Sequence, residues 1–148
     1  MPEKRTVDRA RTAKRQGKSP STQAGAFVHE EIEHIREGKH GARSAKQAIA
    51  IGLAKARRAG VKLPPQPKTA SDRTQRSAKS DSARAGSRKK PSPARSRAAK
   101  QKLEGEPKVA ASHTALSRHA KAVARTRPAS ARKAAAKKAA KTRARRES

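Results

Sequence analysis

The chain has 148 residues, and its 40 Lys and Arg against 11 Asp and Glu give a formal net charge of +29. Only 32% of the residues are hydrophobic, Phe27 is the one aromatic residue, and there is no cysteine. So little apolar content at so high a charge excludes a full-length globular enzyme. The absence of cysteine excludes a disulfide scaffold and a thiolate metal site, and no apolar run approaches the roughly 20 residues of a membrane-spanning helix.

Residues 1–18 form a basic, polar N-terminal arm in which Val7 is the one large apolar residue after the first Met. The arm carries charge but no apolar run, so we expect no secretory signal. The acids Glu3 and Asp8 are atypical of an organellar transit peptide. These features predict a cytoplasmic protein.

Residues 19–63 hold nearly all the large apolar side chains and are predicted to form a helical hairpin module. Ser19 has the chemistry of an N-cap, and Pro20 suits the first helical position. Apolar residues then recur at spacings of three and four, which predicts a helix over about 20–37. The predicted core and interaction residues are Phe27, Val28, Ile32, Ile35, Ile49 and Leu53.

A second helix is predicted over about 45–59. Ser44 with Gln47 three residues later has the form of a capping box, and Gly60 suits the left-handed position that ends a helix. The short connection favours antiparallel packing, and the small residues of the second helix would let the first approach closely. We expect exposed ion pairs between the glutamates of the first helix and Lys46 and Lys55 of the second.

The hairpin has a small core, because its large apolar side chains number only nine. Two helices alone are therefore expected to be marginally stable. We expect one of three sources of further stability: self-association as a homodimer, packing of the N-terminal arm as a third helix, or ordering on a partner.

Residues 64–148 are rich in Pro, Ser, Ala, Lys and Arg, and residues 68–148 alone carry a net charge of +20. This composition predicts a disordered basic tail. Helices are candidates near 112–126 and 128–146, but like charges four residues apart oppose the second one. The expected fold class is therefore mostly α with extensive disorder: a two-helix hairpin followed by a long low-complexity tail.

The segment from His29 to His34 reads HEEIEH and invites comparison with the zinc motif H-E-x-x-H. Its histidines are five residues apart instead of four, so they diverge by about 140° around a helix. We therefore predict no metal site. The chain also lacks a glycine-rich phosphate loop and a core that could hold a nucleophile and its base, so we expect no cofactor, no catalytic residue and no enzymatic activity.

The basic tail is the strongest functional signal, since a large excess of cations on a small chain points to a polyanionic partner. Lys and Arg that neutralise phosphates bind with little sequence preference, and the lack of exposed aromatics disfavours base stacking. The predicted nucleic-acid contacts are Arg84, Arg88, Lys89, Lys90, Arg95, Arg97, Lys133, Lys137, Lys138, Lys141, Arg143, Arg145 and Arg146.

Two resemblances add to this interpretation. The C-terminal SARKAAAKKAAKTRARR is similar to the Ala/Lys-rich tails of linker histones and bacterial histone-like proteins. The turn Glu37–Gly38–Lys39, the run KQAIAIGL at 46–53 and the AR-x-AG pattern at 56–60 resemble a small bacterial domain family of uncharacterised function. Members of that family are often labelled DNA-binding, and the resemblance implies the same here without supplying a catalytic residue.

The sequence thus predicts a histone-like protein that binds DNA without sequence specificity, anchored by its helical module, and that contributes to compaction of a bacterial nucleoid. DNA is favoured over RNA. Two alternatives stay open: an RNA-binding or ribosome-associated protein, and a protein-interaction module with an accessory basic tail.

Overall fold

A computed structural model describes residues 2–68, 70–87 and 92–147, with side chains of the last helix described as far as residue 144. These ranges contain α-helices and one short 3-10 helix. The helices are α1 (Lys4–Arg15), α2 (Pro20–Arg36), α3 (Ala45–Arg58), α4 (Asp72–Ala83), α5 (Pro93–Glu104), the 3-10 helix (Lys108–Ala111), α6 (His113–Thr126) and α7 (Ala129–Glu147). The chain divides into two compact units, residues 1–112 and 113–148.

The two predicted helices of the hairpin are present as α2 and α3, and their predicted caps are confirmed. The Thr22 backbone N–H donates to Ser19 Oγ at 3.3 Å, with Pro20 at the first helical position. The Gln47 N–H donates to Ser44 Oγ at 3.2 Å, while the Gln47 side chain accepts from the N–H of Arg43 instead of Ser44. Local side-chain chemistry thus sets where both helices begin.

The antiparallel contact between α2 and α3 depends on small residues of α3, as expected from the sequence. A Cβ atom placed on Gly52 would lie 2.7 Å from Val28 Cα and 3.1 Å from the carbonyl oxygen of Phe27. Ala48 and Ala56, one turn to either side, are fully buried. The run at 46–53 therefore provides the surface on which the backbone of α2 lies.

The apolar core consists of two small clusters along this hairpin. In one, Ile35 and Ala48 pack with Ala110 and Ala111 of the 3-10 helix. In the other, Phe27 and Ala56 pack with Ala10 of α1. Phe27 and Ile35 are thus core residues as predicted, and the remaining predicted members are half-buried: Val28, Ile32, Ile49 and Leu53.

The N-terminal arm supplies the third helix that the thin core requires. Helix α1 packs against α2 and buries Thr6 and Ala10. Val7 lies against the cluster that contains Phe27. Of the three expected sources of stability, packing of the arm is therefore present, whereas self-association remains a prediction.

The expectation of a long disordered tail is wrong. The described part of residues 64–148 forms α4 to α7 and the 3-10 helix, with α6 and α7 at the positions suggested for helices. Serines cap two of these helices, since Ser71 Oγ accepts from the Thr74 N–H and Ser92 Oγ from the Arg95 N–H. Helix propensity and capping outweigh the repulsion between like charges that favoured disorder. The mostly α class is confirmed.

The last turn of α5 and the residues after it also stabilise the turn between α2 and α3. The Gly41 N–H donates to the Leu103 carbonyl at 2.7 Å, and the Ala42 N–H donates to the Pro107 carbonyl at 3.0 Å. Arg36 Nε donates to the Ala111 carbonyl at 3.0 Å. This turn carries His40, so contacts distant in sequence hold that histidine in place.

Within the described ranges, no helix combines the length and apolar character that crossing a membrane requires.

Candidate nucleic-acid interface and a buried ionic cluster

The cations of the C-terminal helices face solvent. Every lysine and arginine between residues 92 and 144 is exposed. Among the side chains that the structure describes there, Lys100 is the one cation with a carboxylate within 4 Å, that of Glu104 at 3.5 Å. These helices therefore present cations that are free to pair with an external anion.

The predicted contact residues are distributed over three helices. Arg84 is the exposed C-cap of α4. The predicted contact residues on α5 and α7 whose side chains are described are all exposed: Arg95, Arg97, Lys133, Lys137, Lys138, Lys141 and Arg143. Arg88, Lys89 and Lys90 lie outside the described residues. The backbones of Arg145 and Arg146 belong to α7, and their side chains are not described.

Helix α7 carries charge around its whole circumference. At 100° per residue, Lys133, Lys137 and Lys141 fall within an arc of about 80°, whereas Arg132 lies on the opposite side from Lys141. Every described side chain of α7 is exposed, and many are alanines. Alanine has the highest intrinsic helix propensity, so this helix does not need an apolar face to form.

A basic groove that the sequence analysis missed runs between α1 and α2. Its volume is about 820 Å³. Its charged lining residues are Lys4, Arg5, Asp8, Arg9, Lys18 and, when protonated, His29. Helical periodicity in the arm could have indicated a basic face, but the groove also requires α2 and so depends on tertiary packing.

Two glutamates of α2 are buried beside a single lysine. Glu30 is 6% exposed and Glu31 is fully buried. Lys55 Nζ lies 2.5 Å from Glu31 Oε2 and 3.9 Å from Glu30 Oε1, and Glu30 Oε2 accepts from the Glu3 backbone N–H at 3.2 Å. The pairing with Lys55 agrees with the expectation, but the expectation of exposed pairs is wrong, because both glutamates are buried.

Two histidines contact carboxylates in this region, one that of Glu31 and the other that of Glu3. His40 Nε2 is 3.3 Å from Glu31 Oε1, and His34 Nε2 is 3.0 Å from Glu3 Oε1. The two imidazole rings are nearly perpendicular, with centroids 6.4 Å apart. We define the ionic cluster as Glu3, Glu30, Glu31, His34, His40 and Lys55.

Charge contacts around the exposed edge of the ionic cluster shift two pKa values. The hydrogen bond from His34 lowers the pKa of Glu3 below its ordinary value of 4.5, and Lys39 contributes in the same direction. The hydrogen bond to Glu37 raises the pKa of Lys39 above 10.5. Both charged forms are thus favoured at neutral pH.

Three members of the ionic cluster have the chemistry of metal ligands and lie near one another. One donor atom from each of Glu31, His34 and His40 lies within 4.8 Å of the other two. The spacing of His29 and His34 predicts no metal site, and in the described residues His29 is exposed and outside this group. The available signal was the E-x-x-H spacing of Glu31 and His34, which places both on one helix face.

Comparison with known proteins gives one match. No curated protein and no solved structure matches the chain. The match is to the model of a family of unknown function, DUF6496, and it covers residues 15–67, which include α2, α3 and every member of the ionic cluster except Glu3. In that segment the chain is therefore similar to a small family whose function is uncharacterised.

Proposed function

We propose that this protein binds the phosphate backbone of duplex DNA without sequence preference. One observation supports the proposal most strongly. Every described lysine and arginine between residues 92 and 144 is exposed, and Lys100 is the one among them that has a carboxylate within 4 Å. Exposed cations without carboxylate partners gain most from meeting a polyanion, since each phosphate neutralised releases a condensed counterion.

Duplex DNA is favoured over single-stranded nucleic acid by the aromatic content. Phe27 is the one aromatic residue besides histidine, and it is 1% exposed within the core. Proteins that bind single strands commonly stack bases on exposed aromatic rings, and this chain offers no exposed Phe, Tyr or Trp for that purpose. Phosphate contacts by lysine and arginine are the remaining chemistry, and they suit the regular charge spacing of a duplex.

The groove between α1 and α2 provides a second set of cations, in the unit formed by residues 1–112. Its lining carries four lysines and arginines against Asp8. A positive concave surface focuses the electrostatic potential and attracts phosphate groups. We assign this groove a supporting role, in which its cations attract phosphate groups.

The experiment compares two variants of equal charge. In the first, Lys133, Lys137, Lys138 and Lys141 of α7 are replaced by glutamine. In the control, glutamine replaces four exposed cations of the other unit, Arg43, Lys46, Lys62 and Lys68. We expect the α7 variant to bind a 30-base-pair duplex at least about tenfold more weakly at 100 mM salt, and the control to lose clearly less.

Fluorescence anisotropy of a labelled duplex measures both affinities. Equal losses in the two variants would show that net charge alone, and not α7, carries the binding. Competition by unlabelled duplexes of different sequence should be uniform. Stronger competition by structured RNA than by duplex DNA at the same salt would contradict the choice of DNA and favour an RNA-associated protein.

A further inference from the structure

The ionic cluster has more buried negative charge than buried positive charge. Glu30 and Glu31 are both at least nine-tenths buried, whereas Lys55 is the one lysine in contact with them among the described residues. Buried carboxylates are stable only when paired or coordinated to a metal ion. Glu30 Oε1 and both Glu31 oxygens have no hydrogen-bond donor in good geometry in the described structure. These buried carboxylate oxygens are therefore available as ligand atoms for a further cation.

The hydrogen bonding of His40 shows where that charge belongs. Its Nδ1 lies 3.0 Å from the carbonyl oxygen of Gly41, which can only accept, so Nδ1 carries a proton. In the neutral ring Nε2 then carries a lone pair and acts as an acceptor. It lies 3.3 Å from Glu31 Oε1, which is also an acceptor. Two acceptors face each other, and a cation between them would satisfy both.

Each histidine of the ionic cluster has a partner that fixes its ring. Gly41 accepts from His40, and the Glu3 carboxylate lies 3.0 Å from His34 Nε2. Histidines that bind metals commonly donate one ring N–H to a carboxylate or a backbone carbonyl, which orients the ring and makes the other nitrogen the ligand. The turn that carries His40 is in turn held by hydrogen bonds from Gly41 and Ala42 to residues 103 and 107.

From these contacts we propose that Glu31, His34 and His40 bind a divalent first-row transition-metal ion, with Zn²⁺ as the expected occupant. Two imidazoles and one carboxylate are a donor set typical of zinc. Donor atoms now within 4.8 Å of one another must close to about 3.4 Å to reach tetrahedral geometry at zinc bond lengths of about 2.0–2.1 Å.

Lys55 and Glu3 act as positioning residues in this arrangement. Lys55 pairs with Glu31 Oε2, which leaves Oε1 on the side of His40 to bind the ion. Three protein ligands leave the fourth zinc position open to water or to a further oxygen ligand. This proposal does not rest on DNA binding, and the test below uses the metal ion without nucleic acid.

The test titrates the full chain, prepared without metal, with Co²⁺ and then Zn²⁺ at pH 7.5. We expect one equivalent of Co²⁺ to give the intense visible bands of a four-coordinate site, and Zn²⁺ to displace it. His34→Ala and His40→Ala should each weaken Zn²⁺ binding by more than about 100-fold, beyond the roughly 10–100-fold losses typical of residues that only support a ligand. Glu31→Gln, which retains side-chain shape, should do the same.

Two controls separate a specific site from surface histidines. His29→Ala and the double variant His113→Ala with His119→Ala should retain the wild-type affinity, because these histidines lie outside the ligand group. Circular dichroism of each variant reports whether it folds, and Glu3→Gln is a second variant that leaves the ligands intact and should weaken binding to a smaller extent.

Three results would overturn the proposal: no stoichiometric Co²⁺ band in the wild type, an equal loss in the His29→Ala control, or wild-type affinity in both His34→Ala and His40→Ala.

Discussion

Gly52 determines how closely α2 and α3 approach. A methyl group at this position would lie 2.7 Å from Val28 Cα, on backbone that cannot move without separating the helices. We predict that Gly52→Ala lowers the free energy of unfolding by about 1–3 kcal/mol, despite the better helix propensity of alanine. Urea denaturation followed by circular dichroism measures the change.

Gly25 provides the matched control for that substitution. It lies within α2, and a Cβ atom there would have no heavy atom within 4 Å. Gly25→Ala should therefore raise the free energy of unfolding by about 0.5–1 kcal/mol through helix propensity alone. If the two substitutions had the same sign, the close approach at Gly52 would not be a determinant of stability.

Glu3 links α1 to α2 and makes the stability depend on pH. Because the hydrogen bond from His34 lowers the pKa of Glu3 below 4.5, the folded state binds this proton less readily than the unfolded state. The stabilisation is complete above pH 4.5 and is lost as the pH falls through the lower folded value. Glu3→Gln should therefore reduce the fall in the urea midpoint between pH 6 and pH 3.

A double-mutant cycle tests the assigned cause of this pH dependence. In a His34→Ala background the partner of Glu3 is absent, so Glu3→Gln should have a much smaller effect on the pH profile. An unchanged effect in that background would mean that residues other than His34 stabilise the Glu3 carboxylate.

At the scale of the helix, α7 shows that alanine content can replace an apolar face. Its described side chains are all exposed, so tertiary packing contributes little and intrinsic propensity decides. We predict that Ala135→Gly with Ala136→Gly, which together cost about 2 kcal/mol of helix propensity, measurably lowers the helical circular dichroism signal. Glutamine at the same two positions should retain it, and equal losses in both variants would contradict this account.

The helices differ in how well the sequence predicts them. Caps at Ser19 and Ser44 and the termination at Gly60 act within a few residues, so α2 and α3 were predictable from local chemistry. Gly60 has φ of +90°, and the Val61 N–H donates to the Ala56 carbonyl, as expected of this termination. The tail was misjudged because low hydropathy and like charge were given more weight than alanine propensity and serine caps.

The ionic cluster could not be predicted in the same way. Glu31 and His34 share one face of α2, but His40, Lys55 and Glu3 join them only through the turn, α3 and α1. The burial of Glu30 and Glu31 depends on that packing, whereas the sequence suggested exposed glutamates on a solvated helix face. Long-range contact, not local propensity, therefore creates both the cluster and the basic groove.

At the scale of the whole molecule, the charge is distributed unevenly. Of the net +29, residues 68–148 carry +20, whereas four of the eleven acids lie between residues 30 and 37 of the hairpin. Two of those acids are buried. Most acidic residues thus lie within the first unit, residues 1–112. The exposed charged side chains between residues 113 and 144 are cations.

The salt dependence of DNA affinity is the most direct measurement of this account. If about ten phosphates are neutralised, log K should fall against log salt concentration with a slope near −9 on a duplex, independent of its sequence. Fluorescence anisotropy of a labelled duplex at about 50–300 mM salt gives this slope. This range brackets an ionic strength of about 0.1–0.15 M. A slope shallower than about −3 would contradict the account, because the exposed cations would then not be contacting phosphates.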